Sequence, residues 1–480
     1  MAWKMKKGYE LVVGLEVHAE LATRTKIFCS CPTIFGAVPN TQCCPVCLGY
    51  PGALPVLNAE VVHFAAKAGL ALGCRIARFS KHDRKNYFYP DLPKAYQISQ
   101  FDQPLCEGGE LLISTAAGEK RIGITRIHME EDAGKLIHDE RGTLLDMNRC
   151  GVPLIEIVSE PDIRTPEEAD AYLRKLRTVL RYTGVSDCRM QEGSLRCDVN
   201  LSIRKPGEAF GTRTEMKNLN SFVSVVKAIE AEYDRQVSAL EAGETILQET
   251  RRFDQRSGQT YAMRRKENAN DYRYFPEPDL GPVIVTEAQL AAWQGELPKL
   301  PDARKAAYVA AYGLSAYAAE QIVSERAIAE YFERAAALSH APKTLANLLI
   351  TEVFRLLDGE EAVICISPED LARLADMTED GEINNNTAKA AIAGVWQTDE
   401  TPEAYVNRLG LRQISDAAVL SPLVRQAIEE NPKMVAQYYG GKSSVKRALM
   451  GAAMRLAAGK ANPDMMMRLV DEALDGQEKE

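Results

Sequence analysis

Apolar and polar residues alternate along several segments of the first 296 residues. In 9–21, YELVVGLEVHAEL, apolar side chains alternate with polar ones that include Glu16 and His18. The segment 193–204, GSLRCDVNLSIR, has an apolar face from Leu195 to Ile203 and a fully polar opposite face. A period of two predicts strands with one buried side. We therefore expect an antiparallel sheet whose second face is polar.

Two segments with helical periodicity interrupt these strands. In TPEEADAYLRKLRTVLRYTG, Thr165 is the predicted N-cap, Glu168 completes a capping box, and Gly184 suits the C-terminal end. A second helix is predicted over 221–240, where apolar residues recur at helical spacing.

The pattern changes at the Pro-rich segment 296–305, after which the chain is rich in Ala and Leu with helical periodicity. A chain of 480 residues is long enough for two or three domains. We predict an α+β catalytic domain over 1–296, a helical domain over 297–405 and a small helical tail over 406–480.

Composition narrows the class of protein. Hydrophobic residues make up 46% and charged residues 26%, as in globular proteins. No apolar run approaches the roughly 20 residues that span a bilayer, and the N-terminus lacks the apolar segment of a signal peptide. The eleven cysteines are too sparse for a secreted disulfide scaffold. We expect a soluble cytoplasmic protein with reduced thiols and no membrane partner.

Five of the cysteines lie within 28–47, FCSCPTIFGAVPNTQCCPVC. Two close pairs in this segment have the ligand spacing of a structural zinc site: Cys29 with Cys31, and Cys44 with Cys47. Cys43 is left out. Four thiolates close the coordination sphere of zinc, so such a site does not activate water. The alternatives are unligated thiols or a redox pair, and the latter lacks a thioredoxin-like context.

Acidic residues recur in three of the predicted strand segments. GLEVH offers Glu16 and His18, HMEEDAGK offers Glu130, Glu131 and Asp132, and VPLIEIVSEPD offers Glu156 and Glu160. One histidine with carboxylates and no local thiol favours Mg²⁺ or Mn²⁺, and with it phosphoryl transfer. Arg196, Arg213 and Lys217, on polar strand faces, could neutralise phosphates. For each residue taken alone, a solvated strand face or a salt bridge is the alternative.

The tail is basic although the whole chain carries a net charge of −9. Between Asn431 and Arg468 there are seven basic residues and one acid. A small basic helical module indicates binding to a phosphate backbone, and the lack of an aromatic platform favours folded RNA. The alternative is a helix with a solvated lysine face.

Longer motifs resemble one known family. They include YELVVGLEVHAEL, CPVCLGYPGALPVLN, DRKNYFYPDLPKAYQISQFDQPL, RIHMEEDAGK, GVPLIEIVSEPDIRTPEEA and, in the tail, KRALMGAAMRLAAGKANPDMMMRLVDEAL. The chain thus resembles, over nearly its whole length, the B subunits of glutamyl/aspartyl-tRNA amidotransferases. The related archaeal E subunits carry a large insertion domain that is not found in this sequence.

The resemblance implies a glutamine-synthetase-like cradle domain, an all-α helical domain and a YqeY-like tail. It implies ATP-dependent amidation of misacylated Glu-tRNA(Gln) or Asp-tRNA(Asn), through phosphorylation of the side-chain carboxylate and displacement of phosphate by ammonia. The implied partners are the amidase (glutaminase) or A subunit, a small C subunit that completes a heterotrimer, the tRNA, and a non-discriminating aminoacyl-tRNA synthetase.

The resemblance also implies residue roles. Mg²⁺ would be bound by His18, Glu131 and Glu156, with Glu16 beside them on the ammonia route. Further candidates for the ATP and substrate pocket are Lys85, Tyr87, Arg196, Asp198, Asn200 and Lys217. Structural Zn²⁺ would be bound by Cys29, Cys31, Cys44 and Cys47, and tRNA by Lys442, Lys446, Arg447 and Arg455.

Two other functions stay open from the sequence. One is a non-catalytic, zinc-containing protein that binds tRNA or serves the assembly of a complex. The other is a stand-alone ligase or kinase acting on a small molecule.

Overall fold

A computed structural model describes residues 3–140, 142–265, 272–357, 363–458 and 460–477. Residues 1–2 and 478–480, at the ends of the predicted first and last domains, lie outside this part. The chain divides into two compact units, Met1–Leu300 and Pro301–Glu480. The first unit is mixed α+β and the second is helical.

The strands of the first unit, in chain order over the described residues, are β1 (Glu10–Glu20), β2 (Arg75–Ile76), β3 (Phe79–Ser80), β4 (Asp83–Asn86), β5 (Tyr96–Ser99), β6 (Cys106–Glu107), β7 (Glu110–Thr115), β8 (Gly118–Glu131), β9 (Lys135–Asp139), β10 (Gly142–Asp146), β11 (Pro153–Ser159), β12 (Leu195–Arg204), β13 (Thr214–Leu219), β14 (Glu249–Asp254), β15 (Gln259–Arg265), β16 (Phe275–Pro276) and β17 (Val283–Ile284). Its helices are α1 (Ala59–Ala71), α2 (Pro166–Thr183), α3 (Phe222–Glu241) and α4 (Glu287–Gly295).

One large sheet dominates this unit. Its strand order is β15-β14-β13-β12-β1-β11-β8-β6-β2, with β7 paired to β8. All neighbours in it are antiparallel except β13 and β14, which are parallel. A small three-stranded sheet, β16-β4-β5, lies beside the end of β8, where Ile98 of β5 donates its backbone N–H to the Glu131 carboxylate. The predicted α+β domain with a largely antiparallel sheet is confirmed.

The two faces of the large sheet differ in polarity, as the alternation predicts. Leu11, Val13 and Leu15 of β1 are buried in a core that α1, α2 and α3 complete. The apolar residues of β12, from Leu195 to Ile203, join the same core. The opposite face therefore carries the polar residues of β1, β11 and β12, and this face holds the candidate site.

The caps of α2 agree with the sequence in two of three details. Thr165 Oγ1 accepts the backbone N–H of Glu168 at 3.1 Å, and Gly184 ends the helix with a left-handed φ of 73°. The predicted capping box is wrong in its second half. The Glu168 carboxylate accepts the N–H of Arg164 at 2.7 Å and the ammonium of Lys120, so it binds the preceding segment and β8 instead of the N-cap residue.

The second unit consists of helices around two separate cores. The helices are α5 (Pro301–Tyr312), α6 (Ala316–Ile322), α7 (Arg326–Ala336), α8 (Pro342–Leu348), a π-helical turn (Leu349–Val353), α9 (Phe354–Leu356), α10 (Pro368–Glu379), α11 (Asn385–Val395), α12 (Pro402–Arg408), α13 (Ala417–Glu429), α14 (Pro432–Tyr439), α15 (Val445–Leu456) and α16 (Pro463–Gln477). One core runs from Tyr308 to Val406 and the other from Leu420 to Leu474. The boundaries at 297 and 405 stay predictions.

Within the described residues, no helix has both the length and the apolar character needed to cross a membrane.

Candidate active site

One histidine and two glutamates meet at the centre of the polar face. His18 of β1 pairs in register with Glu156 of β11, and Glu156 pairs with His128 of β8. His18 Nε2 lies 3.3 Å from Glu156 Oε2 and 3.7 Å from Glu130 Oε1. We call His18, Glu130 and Glu156 the histidine–carboxylate cluster. An imidazole nitrogen and two carboxylates at this spacing are a donor set that suits Mg²⁺ or Mn²⁺.

Burial makes the charge balance of this cluster unusual. Glu130 and Glu156 are buried, which by itself would favour their neutral forms. His128, whose Nε2 lies 3.4 Å from Glu156 Oε2, and His18 outweigh that effect and hold the pKa of Glu156 well below its usual range. Burial also opposes protonation of His128, but Glu156 and Glu130 outweigh burial and raise the pKa of His128 to about 9. The two buried carboxylates are therefore ionised and attract positive charge, which a divalent cation could supply in place of the imidazoles.

The structure does not bring Glu131 into this cluster, although the resemblance implied it as a magnesium ligand. Successive side chains of a strand point to opposite faces, and Glu130 is the acid of HMEED on the face of His18. Glu131 points away, where its carboxylate lies 2.6 Å from Lys94 Nζ and 2.8 Å from the N–H of Ile98. It ties β8 to β5.

A second group of acids adjoins the first on the same face. Glu16, Asp198 and Glu215, from β1, β12 and β13, each offer a carboxylate oxygen within 4.8 Å of one another. We call them the triacid cluster. Asn200 donates to Glu16 at 2.7 Å, and Lys217 Nζ lies 2.7 Å from Asp198. Burial and then the charge of Glu156 raise the pKa of Glu16, so the two clusters interact electrically.

The remaining predicted pocket residues lie in three separate places on or beside the polar face. Lys85 lies over the rings of Tyr87 and Tyr272, at 5.8 and 5.0 Å from their centroids. Burial opposes its protonation, but the charges of Glu130 and Glu156 outweigh burial and raise the pKa of Lys85. Lys85 and Tyr87 therefore do border the histidine–carboxylate cluster.

Arg196 belongs to another contact. Its guanidinium lies 2.6 Å from Asp132, which offsets part of its charge, and its role with phosphate stays a prediction. Asp198, Asn200 and Lys217 of the predicted set are brought together around Glu16.

The four cysteines predicted as zinc ligands are brought together. The sulfurs of Cys29, Cys31, Cys44 and Cys47 lie within 4.8 Å of one another. The Cys44 and Cys47 sulfurs are 3.9 Å apart, close to the roughly 3.8 Å expected between tetrahedral ligands with 2.3 Å Zn–S bonds. Cys43 points away, with its sulfur 3.7 Å from Asn148 Oδ1.

The environment of Cys47 favours a thiolate. The hydrogen bond from Cys29 lowers the pKa of Cys47. Burial opposes this effect, but the hydrogen bond from the Cys44 N–H adds to it, and the pKa falls to about 4. The buried ammonium of Lys26, 3.7 Å from the Cys47 sulfur, acts in the same direction. An all-sulfur donor set that already stabilises a thiolate fits zinc.

The predicted tRNA-binding residues lie around α15. Lys442, Arg447 and Arg455 are exposed and have no acidic partner among the described residues. Lys446 differs, because its ammonium lies 2.8 Å from Asp471 of α16 and over the ring of Tyr438.

Three residues of the site are not assigned by the sequence alone. HMEED offers both Glu130 and Glu131, and only the register between β8 and β11 separates them. His128 precedes Glu130 by two residues, which is the strand period and could have marked it. Glu215 shares the polar face of β13 with Lys217 and could have been found in the same way.

Comparison with known proteins places the chain among relatives of nearly equal length. A family model described as "GatB/GatE catalytic domain" matches residues 11–291, and one described as "GatB domain" matches residues 330–474. A protein of Caldicellulosiruptor saccharolyticus is 53% identical over 97% of this chain and 99% of its own length. One of Caldanaerobacter subterraneus is 54% identical over 97% and 99%, and one of a Synechococcus strain 50% over 98% and 99%. All three are named as the B subunit of an aspartyl/glutamyl-tRNA(Asn/Gln) amidotransferase.

Proposed function

This chain belongs to the GatB/GatE family, and we propose that it is the catalytic B subunit of an ATP-dependent tRNA amidotransferase. Its substrates are Glu-tRNA(Gln), Asp-tRNA(Asn) or both, which it converts to Gln-tRNA(Gln) and Asn-tRNA(Asn). The polar face of the large sheet would be the floor of a cradle similar to that of glutamine synthetase.

The observation that carries this proposal is that two acidic clusters, built from several strands, meet on β1. Glu16 and His18 are two residues apart on β1, and each belongs to a different cluster. Two cation-binding sites on neighbouring carboxylates are an arrangement that serves phosphoryl transfer, because the charge on attacking and leaving oxygens must be offset together.

The reaction proceeds in two steps. A side-chain carboxylate oxygen of the aminoacyl group takes the γ-phosphoryl group of ATP, and ADP leaves. Ammonia then forms a bond to the activated carbonyl carbon, inorganic phosphate leaves with the former carboxylate oxygen, and the nitrogen loses a proton. The first step is needed because a free carboxylate is a poor electrophile.

Named residues would perform distinct tasks in this reaction. His18, Glu130 and Glu156 would hold one Mg²⁺, and Glu16 with Asp198 and Glu215 a second. When bound, these cations offset the negative charge of the phosphates. Lys85, whose pKa is raised despite burial, stays cationic beside the first cluster and would attract the substrate carboxylate.

The cysteine cluster would hold a structural Zn²⁺. Four sulfur ligands leave no open position, so the metal would fix the loop between β1 and α1 and take no part in the reaction. Because such a site needs reduced thiols, we place the protein in the cytoplasm.

A chain of the B-subunit family implies partners. We propose an amidase partner, the A subunit, that releases ammonia from glutamine, and a small C subunit that completes a heterotrimer. The tail would bind the tRNA backbone through Lys442, Arg447 and Arg455, since exposed cations without acidic partners are free to meet phosphates.

The test is ATP hydrolysis and amide formation by the heterotrimer with Glu-tRNA(Gln) or Asp-tRNA(Asn), supplied with ammonium or glutamine. We expect turnover that depends on misacylated tRNA, and loss of amidation of at least about a hundredfold in His18→Ala with the glutaminase of the partner intact. A non-catalytic role for this chain would leave amidation unchanged in the variant. A small-molecule ligase would hydrolyse ATP without regard to the tRNA.

A further inference from the structure

Four aromatic rings follow one another across the small three-stranded sheet, β16-β4-β5. Tyr87 directly follows β4, Tyr272 and Tyr274 precede β16, and Phe101 lies two residues after β5. Their ring centroids are 5.8 Å apart for Tyr87 and Tyr272, 6.1 Å for Tyr272 and Tyr274, and 4.2 Å for Tyr274 and Phe101. We call these four residues the ring row.

One end of the ring row reaches the histidine–carboxylate cluster. The ammonium of Lys85, which borders that cluster, lies over the rings of Tyr87 and Tyr272. Burial raises the pKa of Tyr274, the charge of Lys85 lowers it and that of Glu130 raises it, so both charged groups act on this hydroxyl. The ring row therefore adjoins the place where the carboxylates would hold a metal.

The other end of the ring row is at the surface. Phe101 is 56% exposed, and one face of its ring stacks on Tyr274 with 9° between the two planes. The backbone N–H of Phe101 donates to the Asp83 carboxylate at 3.0 Å, which fixes the chain at this point. The second face of the Phe101 ring is open to a further planar group, and every nucleic-acid base has a face that stacks on such a ring.

The backbone that carries the two middle rings is strained and firmly held. Arg273, between Tyr272 and Tyr274, has a left-handed φ of 47°, which is uncommon for a residue with a side chain. Asn86 of β4 holds this turn, because its backbone N–H donates to the Tyr272 carbonyl at 2.9 Å and its side-chain amide to the Arg273 carbonyl at 2.8 Å. Strain of this kind persists where surrounding contacts impose it, and it concentrates at functional sites.

The substrate of the proposed function fits the position of these rings. Its reacting carboxylate belongs to an amino acid that is esterified to the 3′-terminal adenosine of the tRNA. Because Lys85 would attract that carboxylate, the adenosine must lie within the length of one aminoacyl group of Lys85. Asp83, which holds Phe101, is two residues, or about 7 Å along β4, from Lys85.

We propose that the ring row binds the terminal adenosine of the aminoacyl-tRNA, with the adenine stacked on Phe101 and the ester directed toward Lys85. This assignment rests on the function proposed above and adds the position of the tRNA end to it.

The adenine of ATP offers the same base chemistry, but the order of the strands favours the tRNA. The triacid cluster lies on β1, β12 and β13, whereas the small sheet lies beside β8, on the other side of β11. The ring row is therefore on the side from which the substrate carboxylate approaches. In-line displacement requires the attacking and leaving oxygens to lie on opposite sides of the transferred phosphorus.

The test compares variants of one ring with a matched control in the full-length chain, purified together with its two partner subunits. Phe101→Ala removes the exposed ring and Phe101→Tyr keeps it. Phe79→Ala removes a similarly exposed ring on β3, outside the ring row. Affinity is measured in the presence of Mg²⁺ for ATP, for uncharged tRNA(Gln) or tRNA(Asn), whichever the heterotrimer amidates when aminoacylated, and for the same tRNA without its terminal adenosine.

We expect Phe101→Ala to weaken binding of the complete tRNA by at least about fivefold, since a base–aromatic stack contributes that much or more. Removal of the terminal adenosine should weaken wild-type binding by a similar factor and make no further difference in Phe101→Ala, because the two changes remove the same contact. The truncated tRNA should bind wild type and Phe101→Ala equally, which also shows that the variant folds. Phe101→Tyr and Phe79→Ala should match the wild type, and ATP affinity should be unchanged in all variants.

Three results would overturn the assignment. An equal loss of affinity for complete and truncated tRNA in Phe101→Ala would make Phe101 a contact of another part of the tRNA. A loss confined to ATP would assign the ring to the base of ATP, and unchanged affinity for all three ligands would leave the ring without a role in binding. A wild-type heterotrimer that amidates neither Glu-tRNA(Gln) nor Asp-tRNA(Asn) would instead refute the proposed function.

Discussion

Glu130 and Glu131 follow one another in β8 but belong to opposite faces of the sheet. Glu130 Oε1 lies 3.7 Å from Nε2 of His18, whereas Glu131 Oε2 lies 2.6 Å from Nζ of Lys94. Two identical carboxylates one residue apart therefore have different partners, and each is a control for the other.

Replacing these two acids separately should give different defects. Glu130→Gln removes a ligand charge from the histidine–carboxylate cluster, so we expect amidation to fall by at least about a hundredfold and binding of Mn²⁺, measured by electron paramagnetic resonance, to weaken. Glu131→Gln leaves Lys94, whose side chain is only 13% exposed, without its partner and should lower the free energy of unfolding by about 3 kcal/mol with Mn²⁺ binding retained. If Glu131→Gln weakened Mn²⁺ binding and Glu130→Gln lowered only the free energy of unfolding, Glu131 would be the ligand instead.

Cys43 and Cys44 allow a similar comparison in the cysteine cluster. Cys44→Ser removes one of four sulfur ligands, so zinc content by mass spectrometry should fall well below one per chain and the melting temperature should drop. Cys43→Ser should keep the zinc, because the Cys43 sulfur faces Asn148. Equal zinc content in the two variants would contradict the assignment of Cys44.

The tail should show which of its cations meet phosphate. The double variant Arg447→Ala/Arg455→Ala removes two unpaired charges, and we expect tRNA affinity to fall with a salt-dependence slope smaller by about 1.5. Lys446→Ala should change the slope less, because Asp471 already offsets the charge of Lys446. A slope unaffected by the double variant would argue that the tail is only a solvated helical face.

Glu232 should make stability depend on pH. It is fully buried, and its carboxylate lies 2.7 Å from Arg235 and 3.2 Å from Arg251. Burial opposes its ionisation, but Arg235 and the hydrogen bonds from Gln236 and Thr260 prevail and lower the pKa of Glu232. A pKa lower in the folded than in the unfolded state stabilises the protein above the unfolded value, and this stabilisation is lost as the pH falls through the folded value.

Glu232→Gln should therefore cost about 3 kcal/mol in urea unfolding near neutral pH, and the difference from wild type should shrink below about pH 4. Glu230→Gln, an exposed change on the same helix, should alter stability at neither pH. A difference independent of pH would mean that packing, and not charge, explains the effect of the Glu232 variant.

The sequence by itself determined the strands β1 and β12, the helices α2 and α3, and the polarity of the two faces of each of those strands. The alternation in 9–21 separates the buried Leu11, Val13 and Leu15 from Glu16 and His18, because side chains of a strand alternate in direction wherever that strand is placed. The spacing of the cysteines likewise indicated the four sulfurs that converge, since both pairs lie in one short segment.

Only the tertiary structure decided which acids meet. Glu130 and Glu131 are equivalent in composition and differ by one position, and the register of β8 against β11 places one beside His18 and the other beside Lys94. Arg196 lies on the predicted polar face, yet it pairs with Asp132, which directly follows β8 and is distant in sequence. Local periodicity fixes the face on which a side chain lies, but its partners come from strands far apart in sequence, and packing alone brings those together.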